Sequence, residues 1–409
     1  MRFVFRALRH ANYRMYLAGQ AVSHVGSWMQ SVALGWLVYR LTGSASMLGL
    51  VALAQQGTGF LVGPFAGALC DRHDKRILII VTQISVMLLA GILSALTISG
   101  MVMPWHVVAI AILSGLAWAV DIPARQSLFI SMVGRDDLPN AIALNSAIVN
   151  GARVLGPAMA GVMISAVGEG WCFAFNAISF LPIIAGFASM KLPGELKVES
   201  GSSLVAEVRE GIHFARTHPS VASLLLLHIV CAFFGNPYVI LLPAHVSRVL
   251  GGGPDTLGYL MASTGVGAFC GALLVASRRS GSDFRSWPVY GGVLFGISLA
   301  VFAFMRAIPP AAMLLFFAGF GCLIQSSSTN TLLQSLTPDR LRGRVMALYS
   351  STFMGALPMG GFLAGIIADR YGEPVFLLAG GLIIVAGSLV MMRCRIMGEP
   401  KPVSETAAA

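Results

Sequence analysis

Charge is scarce in this chain. Asp, Glu, Lys and Arg together supply 11% of its 409 residues, where a soluble domain carries roughly a quarter. A surface that poor in charge excludes an ordinary water-soluble enzyme or binding domain. Acids are the scarcer sign, and within the long apolar runs they fall only at the ends, as Asp121 and Glu373. Paired cysteines are missing too. Cys70, Cys172, Cys231, Cys270, Cys322 and Cys394 are scattered, and none forms a CxxC pair. That pattern argues against a disulfide framework and a metal site, and leaves small apolar packing groups. No GxxxxGK[ST] loop occurs, so any driving force is a gradient rather than ATP. Neither an HExxH helix nor a GxSxG elbow is present. No cofactor and no catalytic residue is expected.

Apolar residues fill the space that charge leaves, at 56% of the chain. They come in runs of about 20, long enough to cross the ~30 Å hydrocarbon layer as helices. The short alternating strands of a closed barrel are not seen. The reading is an all-α polytopic membrane protein with twelve transmembrane helices in two pseudo-symmetric six-helix bundles. The first six spans are expected near 16–39, 46–69, 77–99, 105–124, 140–166 and 171–190. The second six are expected near 220–244, 256–277, 288–308, 311–331, 345–367 and 373–393.

The formal charge of +10 does not point to nucleic acid, because the basic residues sit in short clusters between apolar runs. Such clusters orient a membrane protein. The basic leader "MRFVFRALRHANYRMY" precedes a segment too long for a signal peptide, and is read as a retained first span. With the N-terminus inside, 22 of the 27 Lys and Arg, Arg125 among them, fall on the cytoplasmic side. Arg40, Arg248, Arg306 and Arg370 fall outside, and Arg153 falls within span 5. Both termini are therefore expected in the cytoplasm. The domain expectation is a bundle over 1–190, a cytoplasmic linker over 191–219, a second bundle over 220–395 and a disordered tail over 396–409. In the linker, Leu204, Val205, Val208, Ile212 and Ala215 share one helical face, which suits a helix on the membrane surface or a solvated linker helix.

The chain repeats itself. "DDLPNAIALNSAIVNGARVLGPAMAG" at 136–161 parallels "DRLRGRVMALYSSTFMGALPMGGFLAG" at 339–365, mostly at an offset of 204. Two parallel halves produce that relation. A fainter echo joins "GPFAGALCDR" at 63–72 to "GFLAGIIADR" at 361–370, as inverted repeats within each half would.

Polar residues inside the spans are the candidate site. A charge at mid-membrane costs ~2.5–3.5 kcal/mol on insertion scales, so Arg153 is expected to face a wet cavity or a partner. Ser146, Asn150, Arg153 and Pro157 share its helical face. Span 1 carries Gln20, His24, Ser27 and Ser31 in a similar stripe, and His24 is a residue type that titrates near neutral pH. Gln55 in span 2, His228 and Asn236 in span 7, and Gln325 in "QSSSTN" add polar lining. Asn236-Pro237 also predicts a break in span 7. Proton-carrier candidates reduce to Asp121, His24 and His228. A basic cavity suits an anionic or hydrogen-bond-rich substrate better than a purely cationic dye.

After span 2 comes the most charged stretch, "GALCDRHDKR" at 67–76. Asp71 lies at a helix C-terminus, where the dipole disfavours a bare carboxylate. Gly67 permits close helix approach. Gly67-x-x-x-Asp71-Arg72-x-x-Lys75-Arg76 resembles the loop 2–3 signature of the major facilitator superfamily, although that signature usually has Gly where Asp74 stands. Span 1 ("VGSWMQSVALGWLVYRLTGSASMLGL"), "DIPARQSLF" after span 4 and "NAIALNSAIVNGARVLGPAMAG" in span 5 resemble the branch holding the enterobactin exporter and macrolide efflux pumps. The resemblance implies that Asp71 and Arg76, with Arg72 and Asp121 nearby, gate the two halves rather than touch substrate. Gly156-Pro157 with Gly161 resembles the bend of drug antiporters, with Ala160 in place of one expected glycine. By the same resemblance the chain is a proton-coupled exporter of siderophores, macrolides or other drugs, a monomer surrounded by membrane lipids of the inner membrane. An uptake carrier or a lysophospholipid flippase is the alternative, and a membrane-embedded lipid enzyme a remote one.

Overall fold

The computed structural model describes residues 6–190, 204–278 and 284–393. The expected tail over 396–409 and the first part of the linker, 191–203, lie outside the described residues. Helices follow one another along the chain: α1 Ala11–Thr42, α2 Ala45–Ala52, α3 Thr58–Arg72, α4 Lys75–Ile98, α5 Pro104–Val167, α6 Glu169–Ser189 and α7 Leu204–Thr217. They continue as α8 Pro219–Val230, α9 Tyr238–Arg248, α10 Pro254–Ala276, α11 Trp287–Phe302, α12 Ile308–Leu336, α13 Asp339–Tyr371 and α14 Glu373–Arg393. Wide π-helical turns join α2 to α3 through Leu53–Gly57 and α8 to α9 through Cys231–Gly235. The second of these precedes Asn236-Pro237, where the proline signalled a break.

Among the described residues ten segments are long and apolar enough to cross a membrane, and Trp287–Phe302 is a shorter apolar helix. The 32-residue α1 occupies the first expected span. Phe65, Leu61 and Val162 keep at least 70% of their surface exposed. Apolar patches of that kind belong against lipid. Exposed Trp105, Trp171 and Tyr371 sit at helix ends, the usual place of interfacial aromatics.

Contacts divide the chain into two compact units, Met1–Glu199 with Ile240–Ala262, and Ser200–Val239 with Ser263–Ala409. In the first, α1 packs on α5 and α6, and α4 packs on α5 and α6. Its core joins Tyr13, Tyr16, Ile79, Val86, Leu128 and Phe187. In the second, α11 lies against α12 and α14. Each unit makes a similar close approach at a glycine, and the two glycines lie 204 residues apart. A Cβ at Gly115 would collide with the Gln55 carbonyl, and one at Gly319 with the Thr264 carbonyl. Each also opens its last helix with a buried glutamate after a glycine, Gly168-Glu169 and Gly372-Glu373.

The charged stretch after α3 has a local explanation. Asp74 caps α4, accepting from the amides of Arg76 at 2.8 Å and Ile77 at 3.4 Å. A capping carboxylate satisfies amides that have no partner within the helix, so Asp serves here where the superfamily usually has Gly. Helix α7 is tied to α13: Glu210 pairs with Arg344 and, at 3.3 Å, with Arg340. Its buried residues include Phe214 and Ala215, while Ile212 is exposed. The side chains of Leu204, Val205 and Val208 lie outside the described residues.

At Gly134 the chain leaves the α5 helix with φ 72 and ψ 174. Nothing stands within 4 Å of a Cβ there, so the constraint is torsional. Gly134→Val is expected to cost about 1–3 kcal/mol, and Gly134→Asn less, since Asn tolerates positive φ. Unfolding midpoints of the purified variants check the order.

Candidate functional site

The first unit holds a buried charge pair. Arg125 lies one turn after Asp121 on α5 and meets its Oδ2 through Nε at 3.0 Å and a terminal nitrogen at 2.6 Å. Thr82 and Gln83 of α4 donate to Oδ1 at 3.1 and 2.9 Å. Four donors thus address one carboxylate, and its side chain is 9% exposed. Burial of a charge demands such pairing. A third helix joins through Gln20 of α1, whose Oε1 accepts from Arg125. The same amide lies 2.6 Å from the His24 Nε2 through its own nitrogen.

Donor chemistry orients that chain. A guanidinium only donates, so it holds the Gln20 oxygen. The amide nitrogen is left to donate to His24, whose Nε2 must accept and therefore carry no proton. Loading a proton on that nitrogen sets donor against donor, and Gln20 then has to release either His24 or Arg125. One polar string therefore runs from a half-buried histidine to the pair that ties α5 to α1 and α4.

Arg76, expected beside Asp71 and Asp121, goes elsewhere. Its guanidinium donates to the carbonyls of Phe187, at 2.7 Å, and of Ala188. At the other end of α6, Arg40 grips Glu169 at 2.7 and 3.3 Å. Both contacts match the helix dipole, with acid at the N-terminus and base at the C-terminus. The side chains of Asp71 and Arg72 lie outside the described residues, and a Cβ at Gly67 would meet open space. Arg125, counted above as a loop charge, is instead inside a helix and paired. Its spacing of four from Asp121 was the available signal.

Arg153 lies over the ring of Trp28, with its guanidinium carbon 5.3 Å from the centroid. Asn150 donates to the Ser146 carbonyl at 2.8 Å. Gly156 seats α5 on α1, since a Cβ there would strike that of Trp28. Gly161 does the same against the first turn of α10. A Cβ on its counterpart Gly258 would stand 2.5 Å from the Pro157 oxygen and 2.7 Å from the Gly161 Cα. Gln55 lies in the π-helical turn of span 2, with its carbonyl against Gly115.

In the second unit His228 is 3% exposed and stacks on Tyr349, 4.2 Å between ring centroids, with Phe353 at 6.0 Å. Tyr349 donates to the Ser326 carbonyl at 3.1 Å. Gln325 donates to Thr329 at 3.2 Å, and Asn236 accepts from the Cys322 thiol at 3.4 Å. The sequence pattern did not single out Trp28, Thr82, Gln83 or Tyr349, because such residues are ordinary in apolar helices.

Known proteins share this architecture. A family model described as transmembrane secretion effector matches residues 4–406. The staphyloferrin A transporter of Staphylococcus aureus is 25% identical, covering 88% of this chain and 90% of its own. The multidrug efflux pump Tap of Mycolicibacterium fortuitum is 26% identical over 87% and 88%. Macrolide efflux protein A of Streptococcus pyogenes is 24% identical over 93% and 95%. Among solved structures, a bacterial homolog of the human lysosomal transporter Spinster, inward-facing and unoccupied, superposes with a TM-score of 0.74 at 13% identity, covering 96% of this chain and 98% of that one. A D-xylose-proton symporter gives 0.71 at 14% identity over 93% and 97%.

Proposed function

The chain belongs to the transmembrane secretion effector family of the major facilitator superfamily, and from that membership we propose that it exports medium-sized amphiphilic small molecules across the cytoplasmic membrane in exchange for protons. In this reading two six-helix halves, over 1–190 and 220–395, rock about a central site. Both termini face the cytoplasm, and the protein works as a monomer among membrane lipids. Siderophores, macrolides and related drugs are the candidate cargo.

One observation carries the proton half of this reading: the string His24–Gln20–Arg125–Asp121. A proton reaching His24 and the bond from Arg125 to Gln20 compete for the same amide. Proton occupancy is thereby coupled to the contact holding α5 against α1. Gating in this reading rests on Asp121 and Arg125, together with Gly67, Asp71, Arg72 and Arg76 of the charged stretch that follows span 2. Gln20, His24, Gln55, Asn150 and Arg153 line the path in one half, and His228, Asn236 and Gln325 in the other.

The test is retention of a labelled macrolide, ethidium and a catecholate siderophore in efflux-deficient cells, with and without a protonophore. Wild-type protein is expected to lower retention of at least one probe at least threefold. The protonophore and His24→Phe should each remove that effect. Lower retention that survives the protonophore would overturn proton exchange, and unchanged retention of all three would overturn export of these classes.

A further inference from the structure

Four acids of the first unit are engaged away from Arg153. Asp121 is held by Arg125, Thr82 and Gln83; Glu169 by Arg40; Asp137 by Arg6 at 3.1 Å and His10 at 3.0 Å; and Asp74 by the amides of α4. Among the described residues no carboxylate forms an ion pair with Arg153. Its described contact is the face of Trp28, at 5.3 Å. Gly156 lets α5 press directly on α1 at the Trp28 Cβ. The guanidinium and the indole are therefore one placed unit in the middle of a span. Beside them, Ser146 and Asn150 extend the polar face of α5 by two turns, and Ser146 is exposed.

A guanidinium presents five donors in a planar fork, and a carboxylate is the anion whose two oxygens fit that fork. An Arg held over an indole by cation–π attraction can still donate to a ligand. The indole offers an apolar plane to the body of the same ligand. A cation meets the opposite situation, since Arg153 repels it and already occupies the ring face.

We propose that Arg153 on Trp28 is the anion-binding group of the cargo site, and that the protein takes amphiphilic organic carboxylates in preference to cationic dyes. The proposal rests on the export reading above and names its substrate class. Arg153 fixes the carboxylate, Trp28 supports an apolar or aromatic body, and Asn150 adds a hydrogen-bonding group one turn away.

The test uses the purified full-length protein in detergent and two probes with the same xanthene core. Fluorescein carries a free carboxylate, and rhodamine 6G is a cationic ester. Fluorescence anisotropy reads binding. Fluorescein is expected to bind at least tenfold more tightly than rhodamine 6G. Arg153→Gln should weaken fluorescein binding at least tenfold, Arg153→Lys less, and Trp28→Phe about threefold. Size-exclusion profile and unfolding midpoint establish that each variant is folded, and if Arg153→Gln is not, the Lys variant decides. Tighter binding of rhodamine 6G, absence of fluorescein binding, or equal binding by wild type and the folded Arg153 variants would overturn the proposal. Cellular retention separates the two readings. Fluorescein binding lost in Arg153→Gln without protonophore-sensitive efflux keeps the site and removes the exporter. Protonophore-sensitive efflux with no such binding keeps the exporter and removes the site.

Discussion

Asp121→Asn is expected to abolish proton-driven export and to destabilise the protein by about 3–5 kcal/mol, the usual cost of stripping a buried charge of its partner. The loss falls on Arg125 rather than on the aspartate position. Its side chain is 14% exposed, and the acceptors left to it, the Gln20 oxygen and the Tyr16 hydroxyl, are both neutral. The double variant Asp121→Asn/Arg125→Gln separates the two effects. Two neutral amides can satisfy one another, so stability should return while export does not. A thiol-reactive dye that reports on the buried Cys70, Cys172 and Cys231 gives the unfolding midpoint, and cellular retention gives export. An Asp121→Asn protein with unchanged midpoint and undiminished efflux would sink the assignment of this pair.

The second large effect is expected at Gly258. Any Cβ there is driven into the Pro157 oxygen and the Gly161 Cα. Both are backbone atoms of α5, so no rotamer change relieves the overlap. Gly258→Leu must push the first turn of α10 off α5. Alternating access needs helix seams that close completely in one state, and export should fall at least tenfold. Gly343→Leu is the matched control, because a Cβ at Gly343 meets nothing within 4 Å. Equal efflux from both variants would show that the α5–α10 seam does not matter to transport.

The two variants probe different parts of one argument. Asp121 tests whether the polar string within the first unit carries the coupling. Gly258 tests whether the glycine and proline residues of α5 matter as a packing surface. Gly156, Pro157 and Gly161 were singled out because small residues permit close crossing; a Cβ at Gly156 would strike that of Trp28, and one at Gly161 would lie 3.0–3.2 Å from the first turn of α10.

Much of the fold was legible because membrane helices obey a one-dimensional rule. Backbone groups must be satisfied within each segment, so hydropathy alone placed the helices. The repeat at an offset of 204 was legible for a similar reason. It reappears as the glycine pair Gly115 and Gly319, each against a neighbouring carbonyl. The candidate site was legible only in its residue types. Gln20, His24 and Asp121 stood out as polar groups among apolar ones. Their connection passed through Arg125, which reading the chain by spans had set in a loop.

The sequence by itself determined that this is a helical membrane protein of duplicated halves, poor in acids, with an arginine inside its fifth span. Tertiary structure alone decided partners. Arg125 reaches Gln20 across 105 residues of chain, and Arg76 reaches Phe187 across 111. Which of several charges meets which depends on the rotation and depth of each helix against its neighbours. Those are set by side-chain packing between segments far apart in the chain, and no local pattern records them. For the same reason Arg153 could be recognised as costly from sequence, but only the packed helices show it lying on Trp28.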